Sequence, residues 1–198
     1  MQQHPNQGYV QIYTGNGKGK TTAAIGLAIR ALGAGKKVLF IQFMKQKTYS
    51  EHRVLSRLSP NLKLVALGKP YFIARCDQIS PEAAASMKDQ VVIYEPGNPP
   101  KDYVSLIQKG LTLAKEALIS GGYDVVVLDE LCVALHLGLI NIQEVLTILK
   151  ERQQPAEIII TGRGAPKELI DYADLVTEMR EVKHYYRQGV PARVGIEN

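Results

Sequence analysis

A doubly wound α/β domain on a largely parallel sheet is the fold this 198-residue sequence predicts. Two observations carry the prediction. Short runs rich in β-branched residues are too continuously apolar to be strands with one wet face, and helical stretches with recognisable caps lie between them. A third observation is a glycine-rich turn between the first apolar run and the first helical stretch.

The apolar runs, each expected as a strand, are YVQIYT (9–14), KVLFIQF (37–43), LKLVAL (62–67), DVVVLDE (124–130), EIIIT (157–161) and DLVTEM (174–179). KTTAAIGLAIRALGAG begins a helix at about Lys20, repeats its apolar residues at helical spacing and stops at Gly33 or Gly35 as a C-cap. SPEAAASMKDQVV (80–92) predicts a second helix, with Ser80 as N-cap and Pro81 at the first helical position. NIQEVLTILKERQ predicts another, with Asn141 and Glu144 as a variant capping box. EPGNPPKD (95–102) reads as a loop joining two helices between the third and fourth strands. Strand and helix alternate, so right-handed crossovers are expected.

With 45% hydrophobic and 22% charged residues, the chain is expected to form one domain over 1–198. A formal charge of +5, without a basic stripe interleaved with aromatics, suits a polyanionic small molecule better than nucleic acid, which is not expected as a partner. Cys76 and Cys132 are the only cysteines, which suits a reducing, cytoplasmic location. The N-terminal MQQHPNQG shows no apolar signal region, and no apolar stretch is long enough to span a bilayer, so neither export nor a membrane is expected.

The stretch YTGNGKGKTTAAIG (13–26) matches the phosphate-loop pattern from Thr14 to Thr21, with Thr14 where the first glycine would stand and GKT intact. A strand before it and a helix after it would gather backbone N–H groups around an anion. Gly15, Gly17 and Gly19 would let the backbone approach phosphate oxygens, Lys20 would add charge and Thr21 would offer magnesium a hydroxyl. Lys18 either adds charge to a polyphosphate or is a solvated loop residue.

Asp129 and Glu130 close the fourth strand, where a Walker B pair would face this loop; by themselves they favour an ATPase or kinase. Thr161, Gly162, Arg163 and Gly164 close the next strand on the same side, and Arg163 is either a phosphate contact or a surface residue. Gln42 and Lys45 follow the second strand, before a polar segment (44–52) that could border the nucleotide. His4, His52 and His136 show no metal-ligand spacing and read as exposed or half-buried. The tail VKHYYRQGVPARVGIEN reads either as a basic lip over the site or as a subunit contact.

Set side by side, TGNGKGKTTAA, VVLDEL, IITGRG and the closing VKH…G…GIE make the chain resemble the P-loop type of ATP:corrinoid (cob(I)alamin) adenosyltransferases, over most of its length and in order. The resemblance implies a three-layer P-loop NTPase fold of the recombinase type with a mostly parallel central sheet, usually in a homodimer. It implies that ATP and a corrinoid are substrates, with Mg2+ as cofactor and a flavoprotein or other reductant as electron source. In that family Co(I) attacks the 5′-carbon of ATP and tripolyphosphate leaves, the triphosphate being held in the opposite sense to ordinary P-loop enzymes.

The same resemblance implies that Asn16, Gly17, Lys18, Gly19, Lys20, Thr21 and Thr22 wrap the leaving group. Thr21 and Glu130, with Asp129, would hold magnesium, and Arg30 would lie near the nucleotide. The chain differs in having only a short stretch before its first strand, and LGKPYFIARC where the family carries a TGFTW-like segment. Tyr71 and Phe72 are therefore the aromatic candidates beside the corrin. A conventional P-loop hydrolase or kinase, or a nucleotide-binding module without turnover, remain the alternatives.

Overall fold

All six apolar runs are strands, and all six belong to one sheet. The computed structural model describes residues 8–87, 90–153 and 155–197; His4, the N-terminal segment read for a targeting signal, the middle of the 80–92 stretch and the last tail residue lie outside the described residues. In chain order the main elements are β1 (Val10–Thr14), α1 (Lys20–Gly33), β2 (Val38–Phe43), α2 (Ser50–Leu58), β3 (Leu62–Leu67), β4 (Phe72–Arg75), α3 (Pro81–Ser86), β5 (Val91–Tyr94), α4 (Lys101–Ser120), β6 (Val125–Asp129), α5 (Leu131–His136), α6 (Ile142–Lys150), β7 (Glu157–Thr161), α7 (Lys167–Tyr172) and β8 (Leu175–Glu178). The large sheet runs β3-β2-β6-β7-β1-β8 with every pairing parallel, so β7 separates the strand before the phosphate loop from the strand ending in Asp129.

Both faces of the central strands β2, β6 and β7 are covered, which is why they are almost continuously apolar. The same was expected of 174–179, but every residue of β8 is exposed because it lies at the sheet edge beside β1 alone. Val38, Phe40, Val125, Val127 and Ile159 point to α1, whose Ala24, Ala28 and Ala31 allow close approach. Their neighbours Leu39, Ile41, Phe43, Val126, Leu128, Ile158 and Ile160 point the other way, into the larger core beneath α4, α5 and α6. The three-layer α/β expectation therefore holds. Gly35, with φ +76, turns the chain after α1, and Gly33 is the helix's last residue.

Two readings between β3 and α4 need correcting. The 80–92 stretch is only a short helix, capped as expected by Ser80 Oγ accepting from the Ala83 N–H at 3.2 Å; Val91–Tyr94 is a strand that pairs with Phe72–Arg75 in a separate two-stranded parallel sheet. EPGNPPKD accordingly joins a strand to α4, not one helix to another. The four consecutive residues of β-branched or aromatic type, Val91 to Tyr94, were too few to outweigh the proline cap and alanine run in the sequence.

The close fit of α4 on the sheet depends on Gly110, where a Cβ would stand 2.3 Å from Phe43 Cε1 and 2.7 Å from Leu67 Cδ1. Phe43 is fully buried and cannot move aside. Gly110→Val is expected to destabilise the fold by about 1–3 kcal/mol through overpacking, read as a lower urea midpoint with unchanged slope; an unshifted midpoint would show that α4 can shift without cost.

Candidate functional site

Because the sheet is parallel, the carboxyl ends of β1, β2, β6 and β7 lie on one edge, and the loops leaving them build one site. Gly19, at φ +114, is the N-cap of α1 and offers no side chain, so the first N–H groups of the helix face outward. Lys20 folds back under the loop, its Nζ donating to the carbonyls of Gly15 at 2.8 Å and Gly17 at 2.6 Å. Burial pulls its pKa below the ordinary lysine value, against the opposing charge of Glu130.

The glycines at 15 and 17 have a tertiary role that the motif does not display. A Cβ on Gly15 would lie 2.5 Å from the Met179 carbonyl oxygen and one on Gly17 2.7 Å from it, while the Gly17 N–H donates to that same oxygen at 2.7 Å. The chain leaving β8 thus braces the loop from behind. Asn16, Lys18 and Thr22 are exposed on its outer side.

Asp129 is the hub of the site and is completely buried. It accepts from Thr21 Oγ1 at 2.9 Å, Thr161 Oγ1 at 2.6 Å, Gln42 Nε2 at 3.1 Å and Lys45 Nζ at 3.0 Å. Helix α1, strands β2 and β7 and the loop after β2 are tied to one carboxylate, whose charge is met by hydrogen bonds and a cation. Gln42 in turn bonds through its Oε1 to His52 Nε2. His52 is buried, not exposed or half-buried as its sequence setting suggested, because α2 packs against β3 and presses the ring onto Gln42.

Glu130 follows at φ +63, one of two non-glycine residues with positive φ among the described residues; the other, Met44, leaves β2 at the same edge. Its N–H donates to Thr161 Oγ1 at 3.0 Å. Burial first, then the charge of Asp129, raises the Glu130 pKa, with Lys45, Lys20 and Arg163 opposing.

A cleft of about 650 Å³ opens above this edge, lined by the loop from Gly17 to Thr22 together with Lys45, Glu130 and Arg163. His184, Ile196 and Glu197 close its far side, so the tail is a lip over the site. The tail is folded by Tyr185 Oη donating to Glu197 and by Arg193, which hydrogen-bonds Glu197 and lies 4.8 Å over the Tyr185 ring. Arg193 first, then Tyr185, brings the Glu197 pKa down to about 2.

Four residues assigned to the nucleotide do not line the cleft: Gly15 and Asn16 at the start of the loop, and Gln42 and Arg30. Gln42 lies behind Asp129 and does not line the cleft. Arg30 is exposed in the last turn of α1, about 13 Å along the helix from Thr21. Tyr71 and Phe72 line a second cleft of about 370 Å³ with Met44 and Pro70, and this cleft shares Tyr49 and Ser50 with the first. Tyr71 stacks edge-on against Tyr103 at 5.5 Å, and its hydroxyl donates to Asp102 at 2.6 Å, which lifts its pKa to about 12. Phe72 is 55% exposed.

The family model described as ATP:corrinoid adenosyltransferase BtuR/CobO/CobP matches residues 6–198. The chain belongs to this family. It is 33% identical over 197 residues to the corrinoid adenosyltransferase of Escherichia coli K12, covering 99% of this chain and 88% of that protein. Against the corrinoid adenosyltransferase CobA of Salmonella typhimurium it is 34% identical over 197 residues, with the same coverage of 99% and 88%. It is also 35% identical over 187 residues to an uncharacterized Nostoc protein, of whose length that match covers 45%. Among the described residues no helix is long and apolar enough to cross a membrane.

Proposed function

We propose that the protein transfers the 5′-deoxyadenosyl group of ATP to the Co(I) of a reduced corrinoid, a cobalamin or a cobyrinic acid derivative, and releases tripolyphosphate. The observation that carries this reading is the junction of two clefts at Tyr49 and Ser50: a nucleotide whose phosphates lie on the loop can present its sugar carbon toward a larger partner resting against Tyr71 and Phe72. Family membership supports the choice of that partner.

In this reaction the cobalt electron pair forms the Co–C bond as the C5′–O bond breaks, and the negative charge passes to the polyphosphate. No general base is required. That suits a site in which Asp129 is already engaged by four donors, an arrangement poorly fitted to directing an attacking water. Lys20, Lys18, Arg163 and the helix N-terminus would stabilise the charge growing on the leaving group.

A magnesium ion fits the oxygens at this edge, since Thr21 Oγ1 and Asp129 Oδ2 already hold a cation, the Lys45 ammonium, at 3.0 Å each. Thr21, Asp129 and Glu130 would hold the metal, which when bound supplies positive charge to the polyphosphate. A cytoplasmic single-domain homodimer, supplied with electrons by a flavoprotein or another reductant, completes the proposal.

The test is product identity with ATP, magnesium and chemically reduced corrinoid. Tripolyphosphate and a light-sensitive cobalt adduct are expected; ADP and phosphate formed without corrinoid would overturn the reading. If the two rings assist reduction, Tyr71→Ala and Phe72→Ala will slow transfer to corrinoid supplied as Co(II) with a weak reductant more than transfer to pre-reduced Co(I). Equal slowing would remove that role.

A further inference from the structure

Lys45 occupies a position that the backbone is built to hold. Its Nζ donates to Thr21 Oγ1 and to Asp129 Oδ2, both at 3.0 Å, and lies 5.4 Å from the centre of the Tyr49 ring. The side chain is 13% exposed and that of Asp129 not at all. Just before it, Met44 takes φ +62, a conformation few L-residues adopt, and so turns the chain back toward the sheet edge. Gly68 allows that turn to close, since a Cβ there would stand 2.6 Å from both N and C of Lys45. Burial alone would lower the Lys45 pKa, but Asp129 and Glu130 outweigh it and raise the value above that of an ordinary lysine.

These oxygens are the ones a divalent cation would use, and both cations cannot share them. Two positive charges a few ångströms apart repel strongly where water is scarce. A metal arriving alone must therefore displace the ammonium into a cleft that already contains Lys18, Lys20 and Arg163 and offers Glu51, Glu130 and Glu197 as acids, the last of these engaged by Arg193 and Tyr185. A metal arriving with a polyphosphate brings the displaced ammonium a new anionic partner, within reach of its flexible four-carbon stem.

We propose that Lys45 is an intramolecular competitor for the divalent cation, which makes metal and nucleotide load together and prevents the metal from occupying the site alone. The coupling is reciprocal: the nucleotide raises metal affinity by the factor by which the metal raises nucleotide affinity. The inference rests on the proposed function only in placing the metal on Thr21 and Asp129.

The test uses the full chain with Mn2+ as probe, its binding read by electron paramagnetic resonance, with and without the β,γ-methylene analogue of ATP. Lys45→Met removes the charge and keeps much of the volume, while Asp129 retains Thr21, Thr161 and Gln42 as donors. Lys45→Gln is a second neutral variant should the first fail to fold, and Lys45→Arg keeps the charge. Mn2+ alone is expected to bind the neutral variants about tenfold or more tightly than the native chain, and the enhancement of Mn2+ binding by the analogue is expected to shrink by a similar factor. The arginine variant should stay close to the native chain. Unchanged or weaker Mn2+ binding in a folded neutral variant would overturn the proposal, as would an arginine variant that matches the neutral ones. No corrinoid takes part, so a failure of adenosyl transfer would leave this result standing.

Discussion

Lys20→Ala is expected to abolish turnover, lowering kcat by about 10²–10³-fold or more, as loss of one well-placed donor to a developing charge does. Two effects combine. The variant removes the cation folded under the loop, and it also strips the Gly15 and Gly17 carbonyls of their donor, so that the loop itself loses an internal tie. A loosened loop should appear as weaker ATP binding; loss of charge alone should appear mainly in kcat. Turnover within a few-fold of the native rate would remove this lysine, and with it the loop, from the chemistry.

Asp129→Asn is expected to have the largest effect on stability. Asparagine keeps the shape but turns an acceptor-only group into one with an N–H2, which must face at least one of four present donors. Lys45 would be left as a buried charge without its counter-ion. Breaking a buried pair from one side costs about 3–5 kcal/mol, so the urea midpoint should fall well below that of the native chain, and divalent-cation binding should be lost. A loss below about 1 kcal/mol would mean that Lys45 finds other partners and that the network around Asp129 is only loosely coupled.

How far the sequence could be read depended on how local the determining physics was. The central strands were legible because burial on both faces demands unbroken apolar runs; the edge run at 62–67 also coincides with β3 to the residue, whereas the exposure of β8 follows from its edge position and was not legible. Gly35 after α1 and the caps at Ser80 and Asn141 were legible because they act within one helical turn. β4 and β5 were not, because each is short and half exposed and is stabilised chiefly by pairing with the other across a helix.

At the site the same division appears. The phosphate loop, Thr21, the acid pair and Arg163 were named from motifs whose spacing is itself the signal. Lys45 could be placed near the nucleotide but not on Asp129, since its direction depends on the turn at Met44 and the clearance at Gly68. His52 gave no local sign of burial; α2 packing against β3 places it there. The tail read equally as a lip or a subunit contact from its composition, and its place beside the cleft became visible only with Glu197 held there by Arg193 and Tyr185.

By itself, then, the sequence determined a parallel α/β sheet with a phosphate-binding turn at its first strand, because period, apolarity and glycine spacing act over a few residues. Tertiary structure alone decided that Gly15 and Gly17 must be bare to admit the Met179 main chain, and that Asp129 gathers Thr21, Gln42, Lys45 and Thr161. Those contacts join residues up to more than a hundred positions apart, and only the order in which the strands pair brings them within hydrogen-bonding distance.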